Sequence, residues 1–246
     1  MTRSRVQVPT MAPDAKVAQL VEHVFRKDGV AGSIPAFGSM NILTWILIWY
    51  GVFAGYYFFF KKENVLYANS PNAMVSWYTI GIAISIAVFF DQLRNIVAST
   101  PIKALLVGVI VVVASIVIWE KVLVRRKYVE KEISANIFAA KTTEIIFQQV
   151  MIWSLFSLLQ GGLFGSGFVN LFAGVFFLIH IPLLTAISLN KALLFIGASF
   201  FGGLVFSFCI IYIPGGWLIA LAVHILFYAA IASQKSIFGI KSFYNM

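Results

Sequence analysis

Apolar residues dominate the chain from Met40 onward, and short polar or glycine- and proline-containing stretches divide them into seven runs: 41–60, 74–90, 102–119, 137–159, 168–189, 192–213 and 217–232. Read as a helix, with a rise of about 1.5 Å per residue, each run is long enough to cross a hydrocarbon layer about 30 Å thick. The runs are apolar on every face, whereas strands of a membrane barrel would alternate apolar and polar positions. The pattern therefore predicts an all-α polytopic membrane bundle of about seven transmembrane helices.

Residues 1–39 break this pattern. They are polar, mixed in charge and interrupted by proline and glycine, and they contain no apolar run long enough for a signal peptide. The segment VAQLVEHVFRKDGVAGSIPAFGS resembles a spurious reading frame across a transfer-RNA gene, so the membrane domain is expected to begin at Met40 and the extension to lie outside the native protein. The alternative is a cytosolic tail with a short apolar stripe of Ala18, Leu20, Val21 and Val24. His23 lies in this extension and is set aside as a candidate site residue.

Composition agrees with the pattern: 61% of the 246 residues are hydrophobic and only 11% are charged, and mean hydropathy is +0.92, far from the balance of a soluble domain. The single cysteine, Cys209, excludes a disulfide framework or thiolate metal cluster within one chain. The net charge of +9 does not indicate nucleic acid, because the cations fall in clusters between the apolar runs. Lys61, Lys62, the group Lys121 to Lys131, Lys191, Lys235 and Lys241 share one side, leaving Arg94 and Lys103 on the other. That asymmetry predicts a cytoplasmic C-terminus. Between the third and fourth runs, EKVLVRRKYVEKEISAN is expected to lie on the inner membrane surface as a basic amphipathic helix. Asp91 and Arg94 are expected to form an exposed pair at the opposite interface.

Three titratable residues remain at depth: Glu144, His180 and His224. A charge at the centre of a spanning helix costs about 2.5 to 3.5 kcal/mol on insertion scales, so Glu144 is expected to be protonated, paired or facing water. Glu144 lies seven residues into the fourth run, and His180 and His224 lie nine and eight residues before the ends of the fifth and seventh. All three therefore stand roughly 10 to 14 Å from the cytoplasmic boundary. A common depth favours one site over independent interhelical hydrogen bonds. Helical spacing puts Lys141, Glu144 and Gln148 on one face, Phe176 with His180, and His224 with Tyr228. Lys141 is close enough to the helix end to snorkel. Pro182 should kink the fifth span and free the Leu178 carbonyl beside the site. Ala198 with Gly202, and Ser199 with Gly203, are small pairs that allow close helix packing.

TEIIFQ, FFLIH and AVHILFY, in that order on three spans, resemble the three motifs of the CAAX prenyl protease and bacteriocin-processing (CPBP, or Abi) family of intramembrane proteases. Thr143 to Gln148 align without a gap with the family's E-E-x-x-x-R, commonly written EEIIFRG; Phe176 and His180 satisfy F-x-x-x-H, and His224 and Tyr228 occupy H-x-x-x-N. The likeness covers about residues 137–232. It implies peptide-bond hydrolysis within the membrane, with a carboxylate and the second-motif histidine activating water and the third motif stabilising the oxyanion. Thr143 stands where the leading carboxylate belongs, Gln148 where the arginine does, and Tyr228 where the asparagine does. The expected catalytic set is thus Glu144, His180, His224 and Tyr228, and adjacent helix positions diverge by about 100°, so Glu144 would have to turn into the role left by Thr143.

Three functions compete. The first is an active protease of membrane-presented peptides or lipidated proteins in a bacterial cytoplasmic membrane, with no cofactor. The second is a non-catalytic relative that binds a peptide or partner, as in bacteriocin immunity. The third is a metal site, because one carboxylate and two histidines could hold zinc or iron. No inverted repeat or pair of broken helices points to transport.

Overall fold

The computed structural model describes residues 36–61, 70–130, 135–159, 166–186 and 189–233. The N-terminal expectations for residues 1–35, and the loop cations Lys62, Lys131, Lys235 and Lys241, lie outside these. The chain divides into two units, Met1–Met40 and Asn41–Met246; within the first, residues 36–40 are helical.

All regular structure among the described residues is helical, as the pattern predicts. The helices are α1 (Ala36–Gly55), continued by a π-helical segment Tyr56–Lys61, α2 (Pro71–Val88), α3 (Phe90–Ala98), α4 (Ile102–Glu130), α5 (Ala135–Leu159), α6 (Ser166–Leu178), the single turn α7 (Leu183–Ala186), α8 (Leu189–Tyr212) and α9 (Gly216–Ser233). Five segments are long and apolar enough to cross a membrane: Pro71–Val88, Ile102–Val122, Phe138–Leu159, Gly167–Thr185 and Ala192–Tyr212. The first and last expected spans correspond to shorter apolar helices, Asn41–Gly55 and Gly216–Ala230. The protein is a polytopic membrane protein built as a helical bundle.

Prolines and glycines set the boundaries. Pro71 opens α2, where a missing N–H costs nothing. Pro101 precedes α4, and Pro214 follows α8. Gly215 turns the chain between α8 and α9 at φ +70°, and a Cβ there would stand 2.9 Å from the Ala104 carbonyl oxygen, so the turn requires glycine. The basic stretch after Trp119 differs from expectation: α4 runs unbroken for 29 residues to Glu130, so this part continues the third span as helix and does not start a separate surface element.

α5 occupies the middle. Of its apolar window 61% is buried, against 17–33% in the other four spans. α5 packs closely on α2 and α9, while α9 also packs on α4 and α8, and α6 on α8. Two of these approaches depend on the absence of a side chain: a Cβ on Gly203 would lie 2.8 Å from Ala173 Cα, and one on Gly108 would lie 2.6 Å from Leu218 Cδ1. Gly203 therefore has the packing role expected of it.

α1 is held differently, by large aromatic side chains and bonds to backbone oxygens. Trp45 Nε1 donates to the Met151 carbonyl (2.7 Å), Tyr50 Oη to Ile179 (2.8 Å), and Trp77 Nε1 of α2 to Val52 (3.1 Å). The rings of Trp49, Phe53, Tyr78 and Phe147 pack together there, Trp49 stacked on Phe147 and the other pairs edge-on or tilted. Near the far end of α5, Trp153 Nε1 donates to the Trp217 carbonyl, and Trp217 Nε1 donates to Thr100 Oγ1. In lipid every such donor needs an internal partner, which these bonds supply.

Candidate functional site

Most hydroxyls in the bundle are satisfied by their own helix. Ser85, Ser115, Thr143, Ser154 and Ser207 each donate to the carbonyl four residues earlier. What remains is a buried polar layer on the facing sides of α5 and α9.

Glu144 lies at its centre, buried inside the bundle. Lys141 Nζ stands 2.7 Å from Glu144 Oε2, and Gln148 Nε2 donates to Glu144 Oε1 at 3.0 Å. The three residues share a face, as their spacing predicts. Lys141 does not snorkel: it is only 3% exposed and turns inward to the carboxylate, because a buried carboxylate within reach offers its ammonium a stronger partner than the interface does. Gln148 then crosses to α9, with both atoms of its carboxamide 3.4 Å from Tyr228 Oη. The Lys141 ammonium also sits 5.8 Å from the centre of the Tyr228 ring.

His224, one turn before Tyr228, is buried and packs on it with ring centroids 5.5 Å apart. Its Nδ1 lies 3.0 Å from Gln149 Oε1. An amide oxygen only accepts, so the proton of the neutral ring resides on Nδ1. Gln149 is the residue that sequence reasoning missed. Attention to the periodic face of Glu144 and Gln148 left the next position aside, yet a second glutamine at mid-span, opposite a histidine of equal depth, was the available signal.

His180 is held by the break in the fifth span. α6 ends at Leu178, and the next backbone bonds reach back three residues: His180 N to Phe177, Ile181 N to Leu178 and Leu183 N to His180. The Leu178 carbonyl is therefore occupied, contrary to expectation. The carbonyls released are those of Phe176 and Ile179, since their usual partners, His180 N and Leu183 N, bond elsewhere. The His180 ring takes the first, donating from Nδ1 at 2.7 Å, and Tyr50 Oη takes the second. A carbonyl cannot donate, so Nδ1 carries the hydrogen and Nε2 holds the lone pair.

The His180 ring meets Phe176 edge-on at 4.8 Å and Trp49 at 6.0 Å. Phe176 packs against Phe206 at 6.0 Å, and Phe206 against His224 at 5.4 Å. The two imidazoles thus flank one phenylalanine pair. Their hydrogen bonds go to Phe176 and Gln149 and not to Glu144.

Thr143 stands apart from the layer, its hydroxyl on the Ala139 carbonyl at 2.8 Å. Asp91 and Arg94 are both exposed and form no ion pair with each other, because at the surface little is gained by fixing two solvated side chains. Among the described residues no three of the His, Cys, Asp and Glu side chains gather to hold a metal ion. No family model, curated protein or solved structure matches the chain.

Proposed function

We propose that this protein is an intramembrane protease of the CAAX-protease-like (CPBP) type, hydrolysing a peptide or lipidated protein tail presented from the membrane. One observation carries the reading: Gln148 of the first motif-like segment and the adjacent Gln149 meet Tyr228 and His224 of the third inside the bundle, beside the buried Glu144. In this reading Glu144 and the Nε2 lone pair of His180 activate water, the Tyr228 hydroxyl donates to the oxyanion, and His224, whose Nδ1 hydrogen is held by Gln149, joins it only once its Nε2 has taken up a proton. Water engaged at Glu144 shares the carboxylate with Gln148 and Lys141, which already bond its two oxygens. The loop cations support a cytoplasmic C-terminus, and the membrane in this reading is a bacterial cytoplasmic membrane.

A second reading, a non-catalytic peptide-binding relative, draws on the same bonds. Both Glu144 oxygens are engaged, and Thr143, Gln148 and Tyr228 replace the residues of the family pattern. Purified full-length protein in bilayers, given a membrane-presented peptide, separates the two. The proposal predicts cleavage that falls at least about 100-fold in Glu144→Gln and in His180→Ala. An unchanged rate in Glu144→Gln overturns the catalytic assignment, and binding without cleavage by the wild type favours the second reading.

A further inference from the structure

Gln148 and Gln149 are adjacent but differently satisfied. Both ends of the Gln148 carboxamide have partners, in Glu144 and Tyr228. Gln149, fully buried, uses only its oxygen, on His224 Nδ1, and its Nε2 is a buried donor with no partner. An amide N–H2 shut away from water in a membrane interior is unfavourable until an oxygen reaches it. A residue needed only to hold His224 would require an acceptor and nothing more.

We propose that Gln149 is a ligand-binding residue of this site: its Oε1 fixes the His224 ring, and its N–H2 donates to a backbone carbonyl oxygen of a peptide bound between α5 and α9. The inference rests on the reading that a peptide enters the bundle. An uncharged carbonyl suits the position better than a carboxylate, because the buried cation of this layer, Lys141, is paired with Glu144. The rings of Phe206 and Tyr228 against His224 provide apolar surface for the flanking peptide atoms.

The test uses the full-length protein in bilayers and, as probe, an N-acylated apolar tetrapeptide amide together with analogues in which one carbonyl oxygen at a time is replaced by sulfur, a much weaker acceptor. Binding is read by tryptophan fluorescence. One analogue should bind the wild type about three- to tenfold more weakly than the parent peptide, as loss of one neutral hydrogen bond implies. In Gln149→Met that difference should vanish and the parent peptide should itself weaken by the same factor. If the methionine variant does not fold, Gln149→Glu, which keeps oxygens toward His224 and has no N–H2, serves in its place. Equal binding of all analogues by the wild type overturns the assignment, as would follow if the carboxamide were turned to present its oxygen. So does parent-peptide binding by a folded Gln149 variant that matches the wild type. Failure of the wild type to bind the parent peptide overturns both the assignment and the reading beneath it.

Discussion

The hydroxyl of Tyr228 stands 3.4 Å from both the nitrogen and the oxygen of the Gln148 carboxamide, whose nitrogen also lies 3.0 Å from Glu144 Oε1. The second contact is the shorter and has a charged-type acceptor. Gln148→Leu should therefore destabilise the bundle by about 1.5 to 3 kcal/mol, and Tyr228→Phe by less than about 1 kcal/mol. Unfolding titrations of the two variants in mixed micelles check the order; a larger loss for Tyr228→Phe contradicts it.

Lys141 and Glu144 form an ion pair with both side chains nearly excluded from solvent. Removing one partner of such a pair strands the other, and Lys141→Met should cost about 3 to 5 kcal/mol. The double variant Lys141→Met with Glu144→Gln should recover most of that loss. A single variant as stable as the wild type would mean that Glu144 finds another counter-charge.

The placement of His180 follows from the chain break at Pro182. Pro182→Ala restores an N–H, so α6 should extend by a turn, His180 N should return to the Phe176 carbonyl, and the ring should lose its Nδ1 partner. The nitrogen chemical shifts of His180 would report the change of tautomer and bonding. Tyr50→Phe removes the hydroxyl that covers the Ile179 carbonyl, and leaving that oxygen bare should cost about 1 to 3 kcal/mol.

Gly203 and Gly197 lie on the same helix but should respond oppositely to a methyl group. A Cβ at Gly203 meets the Ala173 backbone at 2.8 Å, so Gly203→Ala should push α6 and α8 apart and destabilise by about 1 to 3 kcal/mol. Nothing lies within 4 Å of the corresponding position at Gly197. Gly197→Ala should be neutral or stabilising by up to about 1 kcal/mol. Thermal unfolding of the two variants side by side checks the contrast.

The bundle was legible in the sequence because a spanning helix states its length and its apolar character directly. The grouping of Lys141, Glu144 and Gln148 was also legible, since three- and four-residue spacing fixes a face. What the sequence left hidden depended on contacts between helices. Lys141 turns inward because a carboxylate lies one turn away inside the bundle, a balance that spacing alone does not decide. Trp49 reaches the His180 ring, and Tyr50 the neighbouring Ile179 carbonyl, from a helix with no motif of its own, and Gln149 acquires meaning only when α9 brings His224 opposite. Pro182 announced a break, but which carbonyls it released depended on the tight turns that replaced the helix.

The central claim is that side chains of α5 and α9 meet to form one interior site, and the bond between His224 Nδ1 and Gln149 Oε1 at 3.0 Å tests it most directly. Solid-state NMR of the protein in bilayers, with labelled glutamine and histidine, can detect that proximity among the three histidines of the chain. The account predicts a through-space contact between His224 Nδ1 and the Gln149 side-chain carbonyl carbon, lost in Gln149→Met. A His224 ring with no glutamine beside it would contradict the account.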